Sequence, residues 1–410
     1  VDRDQARVEA IQSVLQEARL DLLVGTLPVN VLLLTGYWPV VGSSIALVAR
    51  GGPTILLVPE DERTLAERGW ADTIHTFSSG SLEALFSIAE AVRTPLRAAA
   101  RSLSFRQGAI GYECGGFFEP ASYASLHLYG GCIPSLLRDA FPAASLQVAD
   151  EILERLRSVK TPREVGRLRT ACRLAERAFL QGAAEIHAGQ RETEIAARFQ
   201  APLARTDPVS PDVGRAGGFA FCMSGPNSGE AYAAYQRSRS RAIEAGDLLL
   251  IHVNSYADGY WTDVTRTYVL GDPDERQMRI FEAILAARAA ALDAIRPGVR
   301  AAAVDAAARE VLRQRGFGPA FKHPTGHGVG FAAINHNARP RLHPQSDEIL
   351  ETGMVFNVEP GVYFAGYGGA RHCDVVAVTA DGAELLTPFQ AEPGQLILTD
   401  RHLLQGIGVA

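Results

Sequence analysis

From residue 7 to residue 20 apolar side chains recur at Val8, Ile11, Val14 and Leu15, the spacing of one helical face. Short apolar runs follow at 21–24, 30–34, 44–48 and 54–58, the last after the turn Gly51-Gly52-Pro53, and each reads as a strand. A helix is expected over 81–92 and a strand over 109–112. Strands alternating with helices predict an α/β layer, a mixed sheet with helices on its faces. Near residue 150 the pattern changes. Thr161-Pro162-Arg163-Glu164 reads as a capping box with proline at the first helical position, opening a long helix through Leu168, Ala171, Leu174, Ala175 and Phe179. A helix over 193–204, a loop over 206–214, strands near 219–223 and 247–253, helices over 275–295 and 301–315, and strands near 354–358 and 372–379 complete the chain. The domains are therefore expected at 1–150 and 151–410.

With 410 residues, 47% hydrophobic and 21% charged, the chain has the composition of a globular protein of two or three domains, which excludes disordered, collagenous and coiled-coil classes. A net charge of -6 without a Lys/Arg block argues against nucleic-acid and membrane-surface partners. The five cysteines form no CxxC pair and are odd in number, so reduced thiols and a cytoplasmic setting are expected. The first nineteen residues are charged and helical in pattern, unlike a signal peptide, and no apolar run has the length of a membrane span.

Chemistry concentrates late in the chain. The segment from Ile251 to Asp263 reads as a hairpin turning at 256–259; centred between Ala257 and Asp258, it sets His252 opposite Asp263, near enough to share a cation. On this fragment alone, Asp263 bonded to a turn and His252 packed in a core is the favoured reading. His323-Pro324-Thr325-Gly326-His327-Gly328-Val329-Gly330 presents a histidine among small residues that let backbone approach a ligand, although an ordinary glycine turn has the same appearance. It lacks the Lys-Ser/Thr of a phosphate loop. The strand Met354–Val358 ends in Glu359-Pro360-Gly361, and alternation puts Val355, Asn357 and Glu359 on one face. A carboxylate closing an apolar strand is costly unless paired or metal-bound. In Arg371-His372-Cys373-Asp374, Arg371 and Cys373 share one face and His372 and Asp374 the other.

Taken together, Thr262-Asp263-Val264-Thr265-Arg266-Thr267, Gly326-His327-Gly328-Val329-Gly330 and Val358-Glu359-Pro360-Gly361, in this order, resemble the M24 metallopeptidases: methionine aminopeptidase, Xaa-Pro aminopeptidase, prolidase and the related creatinase. The resemblance implies a pita-bread α/β catalytic domain behind an amino-terminal creatinase/prolidase-type α/β domain, and a homodimer. It also implies five metal ligands in the order Asp, Asp, His, Glu, Glu. Asp263, His327 and Glu359 match the second, third and fourth; His252 stands at the first and Cys373 at the fifth. A histidine usual after Gly-x-Asn is replaced by Tyr232, and His336-Asn337 arrives later than the usual His-Glu pair.

Imidazole and thiolate are softer than the carboxylates they replace, which favours zinc over manganese and speaks against a second ion. The expectation is a metal-dependent hydrolase of Xaa-Pro-like peptide bonds with one divalent ion on Asp263, His327 and Glu359, completed or flanked by Cys373 and His252. His323 would orient or polarise the substrate, Glu359 shuttle a proton, Tyr232 donate a hydrogen bond, and Arg371 and His336 contact the substrate. A non-peptide amide hydrolase and a catalytically degenerate binding protein are the alternatives. A metal-free creatinase copy is disfavoured by Tyr232.

Overall fold

In the computed structural model, which describes residues 3–78, 87–103, 107–115, 129–184, 186–205, 212–233 and 237–398, the chain divides into two compact units, Val1–Arg157 and Ser158–Ala410. The division lies a few residues beyond the boundary expected from the sequence, because the helix Asp150–Ser158 closes the first unit.

The first unit runs α1 (Gln5–Glu17), β1 (Leu22–Gly25), α2 (Pro28–Thr35), β2 (Ile45–Ala49), β3 (Thr54–Pro59), the single turn α3 (Arg63–Ala66), β4 (Thr73–Phe77), α4 (Ile88–Ser102), β5 (Gly108–Tyr112), α5 (Ile133–Ala140), β6 (Ala144–Val148) and α6 (Asp150–Ser158). Its sheet is mixed, as expected, in the order β4-β3-β2-β1-β5-β6. Leu22, Val24, Ile45, Leu47, Ile55 and Leu57 of the sheet pack with Val92, Leu96, Leu136 and Leu137 of the helices.

The run 30–34 is helix, not strand. Pro28 sits in the first turn with its fixed φ, Gly36 ends the helix in the left-handed region (φ 68°), and the amides of Thr26 and Leu27 at its start donate to the buried carboxylate of Glu113. A fully buried apolar run has no periodicity to betray which element it forms. The helix expected over 81–92 begins at a capping box on Ser87 and Glu90 and continues to Ser102; residues 81–86 lie outside the described residues, as do residues 206–211 of the expected loop.

In the second unit, α7 (Pro162–Gly182) starts where expected, the Thr161 hydroxyl accepting from the Glu164 amide and the Glu164 carboxylate from the Thr161 amide. After α8 (Glu192–Gln200) come β7 (Ala216–Ser224), β8 (Leu248–Ala257), β9 (Tyr260–Trp261) and β10 (Val264–Leu270). The helices α9 (Glu275–Ala294) and α10 (Ala301–Gln314) precede β11 (Val355–Val358), β12 (Gly361–Phe364), β13 (Gly368–Arg371), β14 (Asp374–Val378), β15 (Ala383–Leu385) and β16 (Ile397–Leu398). One sheet has the order β16-β10-β8-β7, with β9 beside β8; β11-β14-β15 and β12-β13 form two more. The bridge between Thr265 and Cys373 brings the β10 and β14 segments together, and that between Gly328 and Phe356 ties the glycine-rich loop to β11.

The hairpin register differs from the expectation. Ala257 pairs with Tyr260 around Asp258 and Gly259, both at positive φ (49° and 88°), so His252 lies opposite Thr265 rather than Asp263. Asp-Gly is the pair a two-residue loop of this twist prefers, and it moves the turn centre by one position. The partner of His252 moves by two residues, which leaves it on the same face as Asp263.

Candidate metal centre

Four chain segments meet at one buried point. Ligand atoms of Asp263, Glu359 and Cys373 all lie within 4.8 Å of one another, and all three residues are buried. His327 Nε2 lies 3.8 Å from Asp263 Oδ2 and 3.9 Å from Glu359 Oε1. Cys373 Sγ lies 3.6 Å from Asp263 Oδ1 and also donates to the Asp263 carbonyl at 3.1 Å.

Backbone and amide partners orient each of these groups. Nδ1 of His327 donates to the Gly328 carbonyl at 3.1 Å, which turns the lone pair of Nε2 towards the carboxylates, where the Asn357 amide meets it at 3.2 Å. Asn357 Oδ1 accepts from the His327 amide, so one side chain fixes both ends of the histidine. Gly326 leaves room for this approach: a Cβ there would stand 1.9 Å from the Asn357 carbonyl oxygen. Cys373 is held from behind, its carbonyl accepting from Arg266 Nη1 at 2.7 Å. Arg266, wholly buried, also donates from Nη2 to Asp374 Oδ1 at 2.7 Å, and Arg288 pairs with the other oxygen of Asp374. His372 lies on that side too, 3.5 Å from Asp374. The expected division of faces between Arg371/Cys373 and His372/Asp374 is what the geometry shows.

His252 stands beside the cluster, with Nδ1 3.7 Å from Asp263 Oδ1. The amide nitrogen of Asn254 is spent on the carbonyls of Thr262 and Ala333, so its oxygen must accept, and His252 Nε2 donates to it at 2.8 Å. Nδ1 is then the lone-pair nitrogen. It faces Thr265 Oγ1 at 3.0 Å and takes a hydrogen bond from Arg371 Nη2 at 3.2 Å. Burial, and secondarily the Arg371 charge, bring His252 down to about 4, so the ring is neutral; Asp263 acts in the opposite sense. Arg371 also donates to Thr265 Oγ1 from Nε and Nη2, and its Nη1 lies 3.7 Å from Glu359 Oε2. Burial pushes the Glu359 carboxyl up to about 7 against the opposing pull of Arg371, and burial raises the Cys373 thiol well above its ordinary value.

His323 has both ring nitrogens engaged. Nδ1 donates to the Pro324 carbonyl at 2.8 Å, and Nε2 meets the Tyr363 hydroxyl at 2.8 Å. Tyr363 follows Glu359 on the same alternation and was not singled out from the sequence; residue parity after Glu359 was the available signal. Asn254, Thr265 and Asn357 were missed as well. Two cavities open here. One of about 60 Å³ is lined by Phe221, His252, Asp263 and Ile334, and one of about 560 Å³ by His323, Arg341, His343 and Asn337. Tyr232, His327, His336, Glu359 and Arg371 line both. Tyr232 is 43% exposed, with its ring 5.6 Å from that of Tyr363 and under the Lys322 ammonium. The His336 ring stands edge-on to His327 at 5.2 Å.

Residues 166–380 match the model of metallopeptidase family M24, and residues 7–159 that of the creatinase/prolidase N-terminal domain. The chain belongs to metallopeptidase family M24. It is 28% identical over 386 residues to the Xaa-Pro dipeptidase of Pyrococcus furiosus, covering 94% of this chain and 99% of that one. It is 32% identical over 277 residues to a protein named Probable dipeptidase PepE from Mycobacterium tuberculosis, covering 65% of this chain and 71% of that one. The crystal structure of the prolidase from Pyrococcus horikoshii superposes with a TM-score of 0.74 at 25% identity, covering 95% of this chain and all of that one. The M24 pita-bread domain and its creatinase-type partner thus stand as read from the motifs. Within the described residues, no helix is long and apolar enough to cross a membrane, and all five cysteines are free thiols.

Proposed function

We propose that this chain is an amide hydrolase acting on peptide bonds of the Xaa-Pro kind that its relatives' names carry, through a centre that takes one divalent ion. The observation that carries this reading is the convergence of Asp263, Glu359 and Cys373 with the lone pair of His327. Four donors around one zinc, at bonds of about 2.0–2.3 Å, stand roughly 3.3–3.8 Å apart. Asp263, Glu359 and Cys373 approach such a set, with ligand atoms within 4.8 Å of one another, and His327 Nε2 stands beside it, 3.8 and 3.9 Å from the two carboxylates. A second ion is not supported, since the His252 lone pair is already met by the fixed charge of Arg371. The mix of imidazole, thiolate and carboxylate favours zinc over manganese.

A divalent ion held there supplies a Lewis acid for the amide carbonyl and acidifies water. The side chains supply the rest. In hydrolysis the C–N bond breaks, the oxygen of water joins the carbonyl carbon, and a proton passes to the leaving nitrogen. Glu359, which borders both cavities, receives that proton on Oε and returns it to the nitrogen. His323 lines the larger cavity, its ring fixed by the Pro324 carbonyl and the Tyr363 hydroxyl, where it orients the substrate. Tyr232 and His336 border both cavities, and Tyr232 is a hydrogen-bond donor there.

A second reading, hydrolysis of a non-peptide amide, is favoured by one observation: neutral His252 and Cys373 stand where the resemblance to the peptidases of this family implies carboxylates. The test is cleavage of Xaa-Pro dipeptides and of simple amides by protein loaded with zinc, manganese or cobalt. Release of proline supports the first reading, release only from other amides the second. Absence of any cleavage contradicts both.

A further inference from the structure

Phe221 and His252 are register partners on β7 and β8, and their rings stack 6.3 Å apart with planes 5° from parallel. Arg237 lies over the Phe221 ring, its guanidinium carbon 4.7 Å from the ring centre. The backbone that carries Arg237 is fixed at three consecutive residues. The Arg237 carbonyl accepts from Asn227 Nδ2 at 3.1 Å, the Ser238 hydroxyl accepts from the Cys222 amide at 2.9 Å, and the Arg239 amide donates to Glu192 Oε2 at 2.7 Å. Glu192, wholly buried, spends its other oxygen on the amide and hydroxyl of Ser224.

Arg237 lines the small cavity at the metal centre, together with the apolar side chains of Phe221, Met223 and Ile334. Its charge is felt at His252, where, after burial and Arg371, it adds to what keeps that ring neutral. The carboxylates of the cavity, Asp263 and Glu359, belong to the ligand cluster, and Arg371 is engaged by Thr265, His252, Tyr363 and Glu359. Arg237 is the guanidinium on the apolar wall. An Xaa-Pro substrate whose scissile bond sits at Glu359, which both cavities share, divides between them. The larger cavity, with Arg341 on its wall, has room and charge for proline and its carboxylate, which leaves the small one for the side chain of Xaa.

We propose that Arg237 is a specificity-determining residue that selects an acidic side chain, glutamate or aspartate, at the residue before the scissile bond. This rests on the Xaa-Pro reading and names the residue that reading leaves open. The methylenes of such a side chain lie on Phe221, Met223 and Ile334, and its carboxylate accepts charge-assisted hydrogen bonds from the planar fork of the guanidinium. A lysine side chain there meets a like charge, and glutamine keeps the shape without the charge.

The experiment measures binding of glutamate, glutamine and lysine to the full zinc-loaded chain by calorimetry, alongside kcat and KM for Glu-Pro and Gln-Pro. In the wild type glutamate binds at least about tenfold more tightly than glutamine, lysine binds most weakly, and kcat/KM favours Glu-Pro in the same sense. Arg237→Gln narrows the gap between glutamate and glutamine to about twofold, and Arg237→Glu puts lysine ahead of glutamate. Melting curves establish that each variant is folded, and the wild-type order is a test by itself if neither is. Glutamine binding as tightly as glutamate, none of the three binding, or a gap unchanged in Arg237→Gln overturns the assignment. If glutamate is preferred through Arg237 while neither peptide is cleaved, the hydrolase reading fails and the anion site stands. If both peptides are cleaved with equal kcat/KM, the hydrolase reading stands and the assignment of Arg237 fails.

Discussion

Arg371 donates from Nη2 to Nδ1 of His252 at 3.2 Å, which places a permanent cation against the side chain at the first ligand position of an M24 metallopeptidase. The tautomer follows from Asn254, whose amide nitrogen is already committed to two carbonyls. Restoring carboxylates at both altered positions, His252→Asp with Cys373→Glu, should therefore move metal preference from zinc towards manganese. Competition between the two metals, read by elemental analysis, checks this; an unchanged preference removes the basis for the softness argument.

Cys373→Ser should weaken zinc retention by at least about tenfold, a loss that even an outer-shell partner of a metal ligand commonly causes. A chelator titration followed by residual zinc measures it. Retention equal to the wild type means that Cys373 lies near the ion without ligating it.

His327→Ala and Glu359→Ala should each reduce amide hydrolysis by a factor of about 100 or more while the fold persists. His327 is held by Asn357 and Gly328, whose own backbone bonds survive the truncation. Activity within a few-fold of wild type in both variants excludes the proposed centre.

Asp374→Asn should destabilise the second unit by about 3–5 kcal/mol, because it leaves the buried Arg266 and Arg288 without their anion. Since Arg266 also holds the Cys373 carbonyl, zinc retention should fall with stability. Chemical denaturation reads the first effect, and a loss below about 1 kcal/mol contradicts the packing account.

Much of this site is legible in residue order. Thr161 and Glu164 announce the start of α7, and Asp263, Glu359 and Cys373 cluster with His327 beside the two carboxylates. The apolar run 30–34 was ambiguous because every side chain in it is buried, so no polar face marks the period. The hairpin turns on Asp258-Gly259, the strongest turn pair in the segment, one position later than a turn centred between Ala257 and Asp258. The pairing of His252 with Arg371, like the hold of His323 on Tyr363, depends on contacts between residues distant in sequence, which no local pattern encodes.

Acid should unfold the protein early. Burial lowers both His252 and His372 from 6.5 to about 4, so the unfolded chain takes up those protons first as pH falls. Their contribution is complete above 6.5 and is lost between 6.5 and about 4, on the order of 3 kcal/mol for each. Asp374, held far below its ordinary value chiefly by Arg266 against the cost of burial, keeps its charge through that window. Glu359, raised by burial to about 7, acts in the opposite sense over the same range and offsets about one histidine; the midpoint of urea unfolding should still fall across the window, and His372→Gln should flatten the slope by up to about 1.4 kcal/mol per pH unit. A stability independent of pH from 6.5 to 4 contradicts the buried neutral histidines.

The most direct measurement is the number of metal ions retained per chain after saturation with zinc and removal of free metal. One ion per chain, lost in Glu359→Ala, is the predicted result. Two retained ions would show that Arg371 does not exclude a second cation, and none would show that the cluster of Asp263, His327, Glu359 and Cys373 is not a metal centre.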